Sequence, residues 1–249
     1  MSALRARCPD CRTLTAVAVG PDYQCHSCGR EFAAGLLRVP RAWGAGGEPM
    51  AAAATMELPW PEAATVDEET LDAQIEATAR ELPQRPLVLG GCCCAHVGAV
   101  RELARRHGRI AVVWLDAHGD LNTPESSPSG NAWGMPLRML IEAGDVAAAD
   151  VTLLGARNLD PPEEAFIANS GIRRELGELA GHVYVALDGD VVDPPGLDVF
   201  MPEPGGIPLP ELEALLAVIP RPIGAGFTGL VASERNEAAL ARLGHALGL

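Results

Sequence analysis

Five short apolar runs, at residues 87–89, 110–115, 151–154, 183–187 and 223–230, alternate with stretches of helical periodicity. The helical stretches cover 68–82, 95–107, 136–143, 209–219 and 234–247. A strand that is apolar at every position must be covered on both faces. Such strands with helices between them predict an α/β fold around a mainly parallel sheet. In sheets of this kind ligands bind beyond the carboxyl ends of the strands, so chemistry is expected just after each run. The stretch 43–66, rich in Ala, Gly and Pro, reads as a loop or lid.

The 249 residues are 48% hydrophobic, enough for a substantial core, and carry a formal charge of −14. That balance argues against a nucleic-acid surface, which needs clustered cations. All 19 basic residues are arginine. Without lysine the chain cannot form a Schiff base, attach pyridoxal phosphate or build a lysine-dependent phosphate loop. The segment Met1-Ser2-Ala3-Leu4-Arg5-Ala6-Arg7 has no apolar signal core behind its charges. The longest uncharged apolar stretch, 87–100, is shorter than the ~20 residues of a bilayer span. A soluble, cytoplasmic protein is expected, with neither membrane nor nucleic acid as partner.

Seven cysteines fall into two groups. Cys8-Pro-Asp-Cys11 and Cys25-His-Ser-Cys28 are C-x-x-C knuckles separated by thirteen residues, and Gly29 follows the second. The pair suits tetrahedral thiolate coordination of one structural zinc, with two disulfides as the alternative. Residues 14–19 alternate loosely, as a strand between the knuckles would. A unit this small has no core of its own and would fold on its metal. The expected organisation is therefore a zinc ribbon at 1–34 and a main domain at 35–249. Charge changes at about the same place: six arginines against three acids give +3 for residues 1–41, leaving −17 on the rest. Cys92-Cys93-Cys94 has no such spacing.

Two acidic clusters follow two of the apolar runs. Asp116-Ala117-His118-Gly119-Asp120-Leu121-Asn122 comes after the first, and Asp188-Gly189-Asp190-Val191-Val192-Asp193-Pro194 after the second. Alternate residues of an extended chain point the same way, so Asp116, His118 and Asp120 can converge, as can Asp188 and Asp190. Helix caps and turns would account for either cluster alone. Brought together, these groups would repel without a cation between them. Oxygen ligands with one imidazole suit Mn²⁺ or a mixed zinc and iron site, and shared carboxylates allow two ions.

With Leu89-Gly90-Gly91 before them and Pro202-Glu203-Pro204-Gly205-Gly206 after, these segments resemble the arginase–agmatinase ureohydrolase superfamily over roughly residues 35–249. The resemblance implies a three-layer α/β fold and two divalent metals. It implies hydrolysis of a non-peptide C–N bond in a guanidino, amidino or formimino compound through a metal-bound hydroxide. By position, Asp116 and Asp188 would bridge both metals, while His118 and Asp190 would bind the second. Asp120 would complete the first site and orient the hydroxide, so that catalysis falls to Asp120 and His118. Asn122, Ser129 and Asn131 match family positions lining the substrate cleft, and Asp160 one that meets a substrate amino group. Loop hydrogen bonding is the alternative for all four. The implied partners are a small-molecule substrate and further copies of the chain in a homo-oligomer.

The chain departs from the family at three places. Cys93 stands where a histidine ligand is usual, and a thiolate favours zinc or iron over manganese; buried packing is the alternative. His96 could reach the site from a helix there, or serve a cap. Trp133 replaces an active-site histidine, whose loss as a proton shuttle is worth on the order of 10²–10⁴-fold in rate. A tryptophan there could instead wall an apolar or cationic substrate. Val231 and Thr228 stand where a guanidinium-recognising Glu and an Asp are expected. A diverged member with an unusual substrate is therefore expected. Two other readings stay open: a mononuclear zinc deacetylase-like amidohydrolase on Asp116, His118 and Asp188, and a non-catalytic scaffold whose ribbon docks a partner. His26, His107, His182 and His245 read as surface or helix-end residues.

Overall fold

A computed structural model describes residues 5–179 and 181–249; residues 1–4, the start of the expected ribbon, lie outside the described residues. Strands β1 (Ala16–Val19), β2 (Asp22–Cys25) and β3 (Glu31–Phe32) form a three-stranded antiparallel sheet. Ala6, Cys8, Ala16, Tyr23, Cys25 and Phe32 pack beneath it.

The second sheet has seven strands: β4 (Gly35–Val39), β5 (Glu62–Thr65), β6 (Pro86–Gly90), β7 (Ile110–Leu115), β8 (Val151–Leu154), β9 (His182–Asp188) and β10 (Gly224–Thr228). Their spatial order is β5-β4-β6-β10-β9-β7-β8, and each neighbouring pair is parallel. The helices are α1 (Glu48–Ala53), α2 (Leu71–Glu81), α3 (Ala95–His107), α4 (Pro136–Glu142), α5 (Pro161–Ser170), α6 (Leu209–Val218) and α7 (Glu234–Ala246). β6, β7, β8 and β10 are buried at every residue, which is why their sequences are apolar without alternation. One face meets Leu212 and Leu216 of α6 with Leu240 and Leu243 of α7. The other meets Ile75 of α2, Val97 and Leu103 of α3 and Leu137 of α4. Helix, sheet and helix make the three layers.

The stretch 43–66 is not the loop expected: it holds α1 and β5, with Met50, Ala53, Met56, Leu58 and Trp60 buried. A proline in the first turn starts α1, and its alanines favour the helix, although Ala, Gly and Pro together read as irregular. β4 was hidden by Arg38. Its guanidinium is largely buried, donating through Nε to Glu62 (2.8 Å) and through Nη1 to the carbonyls of Ala54 and Met56. β5 is an edge strand, and the N-terminal unit covers it. Arg7 and Glu62 exchange backbone hydrogen bonds of 2.9 and 3.0 Å as an isolated antiparallel bridge, which pairs the first residue of that edge.

Candidate metal centre

Four strands adjacent in the sheet, β6, β10, β9 and β7, end side by side, and each delivers a polar group to one point. Cys93 follows β6 by three residues, Thr228 closes β10, Asp188 closes β9 and Asp116 comes directly after β7. Cys93 Sγ lies 3.1 Å from Asp188 Oδ2 and 3.6 Å from Asp116 Oδ2. His118 Nδ1 lies 3.0 Å from Asp190 Oδ2 and 3.5 Å from Asp116 Oδ1. Two overlapping sets result: Cys93, Asp116 and Asp120, and Asp116, His118 and Asp190. Within each, one donor atom per residue lies within 4.8 Å of the others. Asp116 belongs to both, and Asp188 touches both, through Cys93 on one side and the Asp190 backbone N–H on the other (3.1 Å).

The local backbone is shaped for this. Asp116 Oδ1 accepts the His118 N–H at 2.7 Å, and Asp190 Oδ1 accepts the Ala117 N–H at 3.0 Å, which locks the two clusters together. Asp120 adopts φ +53°, a left-handed conformation that costs a non-glycine residue energy and that surrounding structure must enforce. Its Oδ2 is buried with no hydrogen-bond partner. Burial, and then the charges of its neighbours, lifts the carboxyls: Asp188 to about 7, Asp190 to about 6, and Asp120 well above its ordinary range. Burial and the Asp120, Asp188 and Asp116 charges raise the Cys93 thiol as well. Burial opposes a charged His118, but Asp116 and Asp190 outweigh it and push the imidazole up to about 12. Four carboxylates, a thiol and an imidazole, one oxygen of them orphaned, are a donor set that fits divalent cations, which would reverse each of these shifts.

Behind the cluster, Thr228 Oγ1 sits 3.1 Å from Cys93 Sγ and donates to Asp188 Oδ2 (3.2 Å). His96 is neither a cap nor within the ligand sets. It is fully buried between Tyr184 Oη (3.0 Å) and Thr228 Oγ1 (3.3 Å), edge-on to Trp114, and burial takes its pKa down to about 3. Val231 donates its backbone N–H to Asp198 and does not line the cleft.

A cleft of about 260 Å³ opens over the cluster. Asn122, Ser129, Trp133 and Asp160 line it, as the family positions imply, but Asn131 does not: its Oδ1 accepts the Ala45 N–H at 3.0 Å. Met50, Phe200 and Glu163 are among the wall residues that no sequence reading placed there. Glu163 is buried and accepts the N–H groups of Leu121 and Asp160, both at 2.9 Å, so it braces the loop that carries Asp120. The spacing Asp160-x-x-Glu163 before a helix is a capping-box signal that could have found it. Glu203 also reaches the rim, 3.7 Å from His118 Nε2, with Asn158 donating to it at 2.9 Å.

The second cysteine group lies apart. Cys8 and Cys28 sulfurs are 3.8 Å apart and those of Cys11 and Cys25 3.6 Å, with all four within 4.8 Å. A zinc tetrahedron with Zn–S of about 2.3 Å has edges of about 3.8 Å, so the spacing fits that ion. Burial pushes Cys8 up to about 12 while the Thr15 hydroxyl draws Cys25 down to about 5.

The profile of the Arginase family matches residues 49–228. The chain belongs to the arginase family. Arginase from Staphylococcus aureus (strain COL) is 42% identical over 98 residues, 35% of this chain and 32% of that protein. The chain thus spans about a third of the length of the curated arginases of this kind that it matches. In three dimensions it superposes on arginase from Bacillus subtilis with a TM-score of 0.74 at 22% identity, covering 86% of this chain and 97% of that one. Formimidoylglutamase from Bacillus subtilis superposes with a TM-score of 0.69 at 19% identity, over 86% of both chains. These likenesses establish the arginase fold here, and the ligand cluster lies at the strand ends of that fold.

Proposed function

We propose that this arginase-family chain is a metal-dependent hydrolase of a non-peptide C–N bond in a guanidino, amidino or formimino compound. The observation that carries the reading is the pair of ligand sets sharing Asp116 on the floor of a cleft. Asp116 and Asp188 would be shared between two ions, with Cys93 and Asp120 completing one position and His118 and Asp190 the other. Two divalent ions held there, manganese or, given the Cys93 thiolate, zinc or iron, supply the charge that makes a water nucleophilic near neutral pH. Asp120 then takes the proton at Oδ2 as the water adds to the planar carbon, and returns it to the departing amine. Trp133 stands where the family carries a histidine, so this proton has no other carrier at that position. Glu203, held by Asn158 Nδ2 (2.9 Å), faces His118 Nε2 at 3.7 Å as an acceptor that keeps the proton on Nε2 and leaves Nδ1, the nitrogen facing Asp190, as the ligand atom.

The same proposal takes in the zinc ribbon at 1–34, held by Cys8, Cys11, Cys25 and Cys28, and the main domain at 35–249. The separate three-stranded sheet and the start of β4 at Gly35 support that division. It also takes in homo-oligomeric assembly, a cytoplasmic location and a small-molecule substrate. Among the described residues no helix is long and apolar enough to cross a membrane.

Metal analysis coupled to a screen of guanidino, amidino, formimino and acylamino compounds for urea, ammonia or amine release tests the reading. It expects three ions per chain, turnover of a guanidino, amidino or formimino compound, and loss of turnover in Asp188→Asn. Two ions with release of acetate from an acylamino compound would replace it with a mononuclear deacetylase-like enzyme. Biological activity unchanged in both Asp120→Asn and Asp188→Asn would leave a scaffold.

A further inference from the structure

A buried polar chain reaches the ligand cluster from the side away from the cleft. Tyr184 Oη lies 3.0 Å from His96 Nδ1, and His96 Nε2 lies 3.3 Å from Thr228 Oγ1. Thr228 Oγ1 in turn lies 3.1 Å from Cys93 Sγ and 3.2 Å from Asp188 Oδ2. Tyr184, His96 and Thr228 are all fully buried, and none of them lines the cleft. No step of the proposed reaction uses them.

Counting protons gives the chain a direction. His96 is neutral where it is buried, so its ring carries one N–H. Among the described residues His96 is the one hydrogen-bond partner of Tyr184 Oη. With the proton on Nδ1 the phenol O–H would be buried without an acceptor, which is costly. The phenol therefore donates to Nδ1, the imidazole proton sits on Nε2, and Nε2–H donates to Thr228 Oγ1. The hydrogen of Thr228 is then left for Cys93 Sγ or Asp188 Oδ2, with the Leu187 carbonyl, at 3.5 Å, a more distant acceptor.

The chemistry of the ligand calls for this donor. As a thiol, Cys93 donates to Asp188 Oδ2 at 3.1 Å. As a metal-bound thiolate it has no hydrogen to give and can only accept. Among the described residues Thr228 Oγ1 is the one hydroxyl or N–H of another residue that hydrogen-bonds its sulfur. An imidazole at position 93, usual in the family, would instead bring an N–H, and a carboxylate at 228 is an acceptor suited to it. Cys93 and Thr228 exchange the two ends of that bond: the ligand becomes the acceptor and residue 228 the donor.

Resting on Cys93 as a metal ligand in the hydrolase reading, we propose that Thr228 is a positioning residue whose hydroxyl donates to the Cys93 thiolate, aimed there by His96 in the Nε2–H form that Tyr184 fixes. The bond draws electron density from the sulfur and so tunes the soft ligand of that metal position.

Cobalt(II) is the probe, loaded into the full-length protein. The four-cysteine group also gives thiolate-to-cobalt charge transfer, so the cleft's share is the absorption that Cys93→Ser removes, measured in each background. Thr228→Val keeps the shape and loses the hydroxyl. Its sulfur is richer in electrons, so the cleft band moves to longer wavelength, and cobalt affinity there falls by about 10–100-fold in chelator competition. Thr228→Ser keeps the wild-type band and affinity. His96→Leu moves the band in the same direction as Thr228→Val, because the hydroxyl is no longer aimed. Nitrogen-15 shifts of the zinc-loaded wild-type chain should show His96 protonated on Nε2, a reading that needs no variant to fold. Protonation on Nδ1, an unmoved band in Thr228→Val or His96→Leu, or an equal shift in Thr228→Ser would overturn the proposal while leaving Cys93 a ligand. If Cys93→Ser removes no charge transfer, Cys93 holds no metal, and the ligand assignment fails together with the proposal.

Discussion

Gly229 offers a way to disturb the metal centre without touching a ligand. It follows β10 with φ +71°, and a Cβ there would fall 1.9 Å from Asp188 Oδ1 and 2.3 Å from Oδ2. The glycine cannot retreat: its N–H donates to Gly91 at 3.1 Å and its carbonyl accepts from Phe200 at 2.9 Å. In Gly229→Ala the carboxylate must therefore move, because the backbone is pinned from both sides. Forcing an L-residue into this region costs roughly 1–2 kcal/mol. For a chain of this size each kcal/mol lowers Tm by about 2–4 °C, so a fall of about 2–8 °C is expected. Displacing a group proposed as common to both metal positions should also weaken metal binding by about 10–100-fold, the range found when ligand support is disturbed. The assay is thermal melting with and without metal, together with metal content after dialysis against a graded chelator. The metal-dependent rise in Tm should shrink along with retained metal. A variant that melts lower yet holds metal as tightly as wild type would refute the reasoning, since strain alone would then suffice.

Cys93→Ser exchanges a soft ligand for a hard one of similar size and should lower zinc affinity more than manganese affinity, measured by competitive loading; equal losses would contradict Cys93 as a ligand. Cys28→Ser changes an exposed member of the four-cysteine group and should reduce metal content by one ion per chain while the cleft keeps its ions, read by mass spectrometry. For pH, the folded values of Asp188 (about 7) and Asp190 (about 6) lie above the ordinary carboxyl range. Their contribution to the metal-free protein is thus intact below about pH 4 and lost as pH rises towards neutrality. The Tm of chelated protein should fall over that interval, and the increment on adding metal should grow, because ligands must lose their protons; pH-independent melting would contradict it.

The site was legible in the sequence because its ligands sit on strands whose apolar runs are uninterrupted. β7 and β8 begin and end at the residues expected from hydrophobicity, and the acids directly after β7 and at the end of β9 fall where parallel sheets place function. The same logic failed at β4 and β5. Arg38 breaks the apolar run of β4, and its pairing with Glu62 of β5 exists only after folding. α5 opens Pro-Pro-Glu-Glu and has no apolar stripe, so periodicity is silent there, though its capping residues are not. Within the site, the aspartates and His118 could be named from order and alternation, and Cys93 only from the position that the family resemblance gave it. Of the cleft's apolar wall only Trp133 was named, through its family position; Met50 and Phe200 come from distant segments with no spacing that ties them to it. Asn131 shows the converse limit: a residue at a family position whose side chain a neighbouring loop has claimed.

The central claim is that the strand ends hold two ions, not one. Anomalous diffraction from crystals of the metal-loaded protein tests it most directly. The account predicts two peaks in the cleft, one beside Cys93 and Asp120, the other beside His118 and Asp190, with Asp116 and Asp188 between them. A single peak, or two that leave Asp116 outside coordination distance of either, would contradict it.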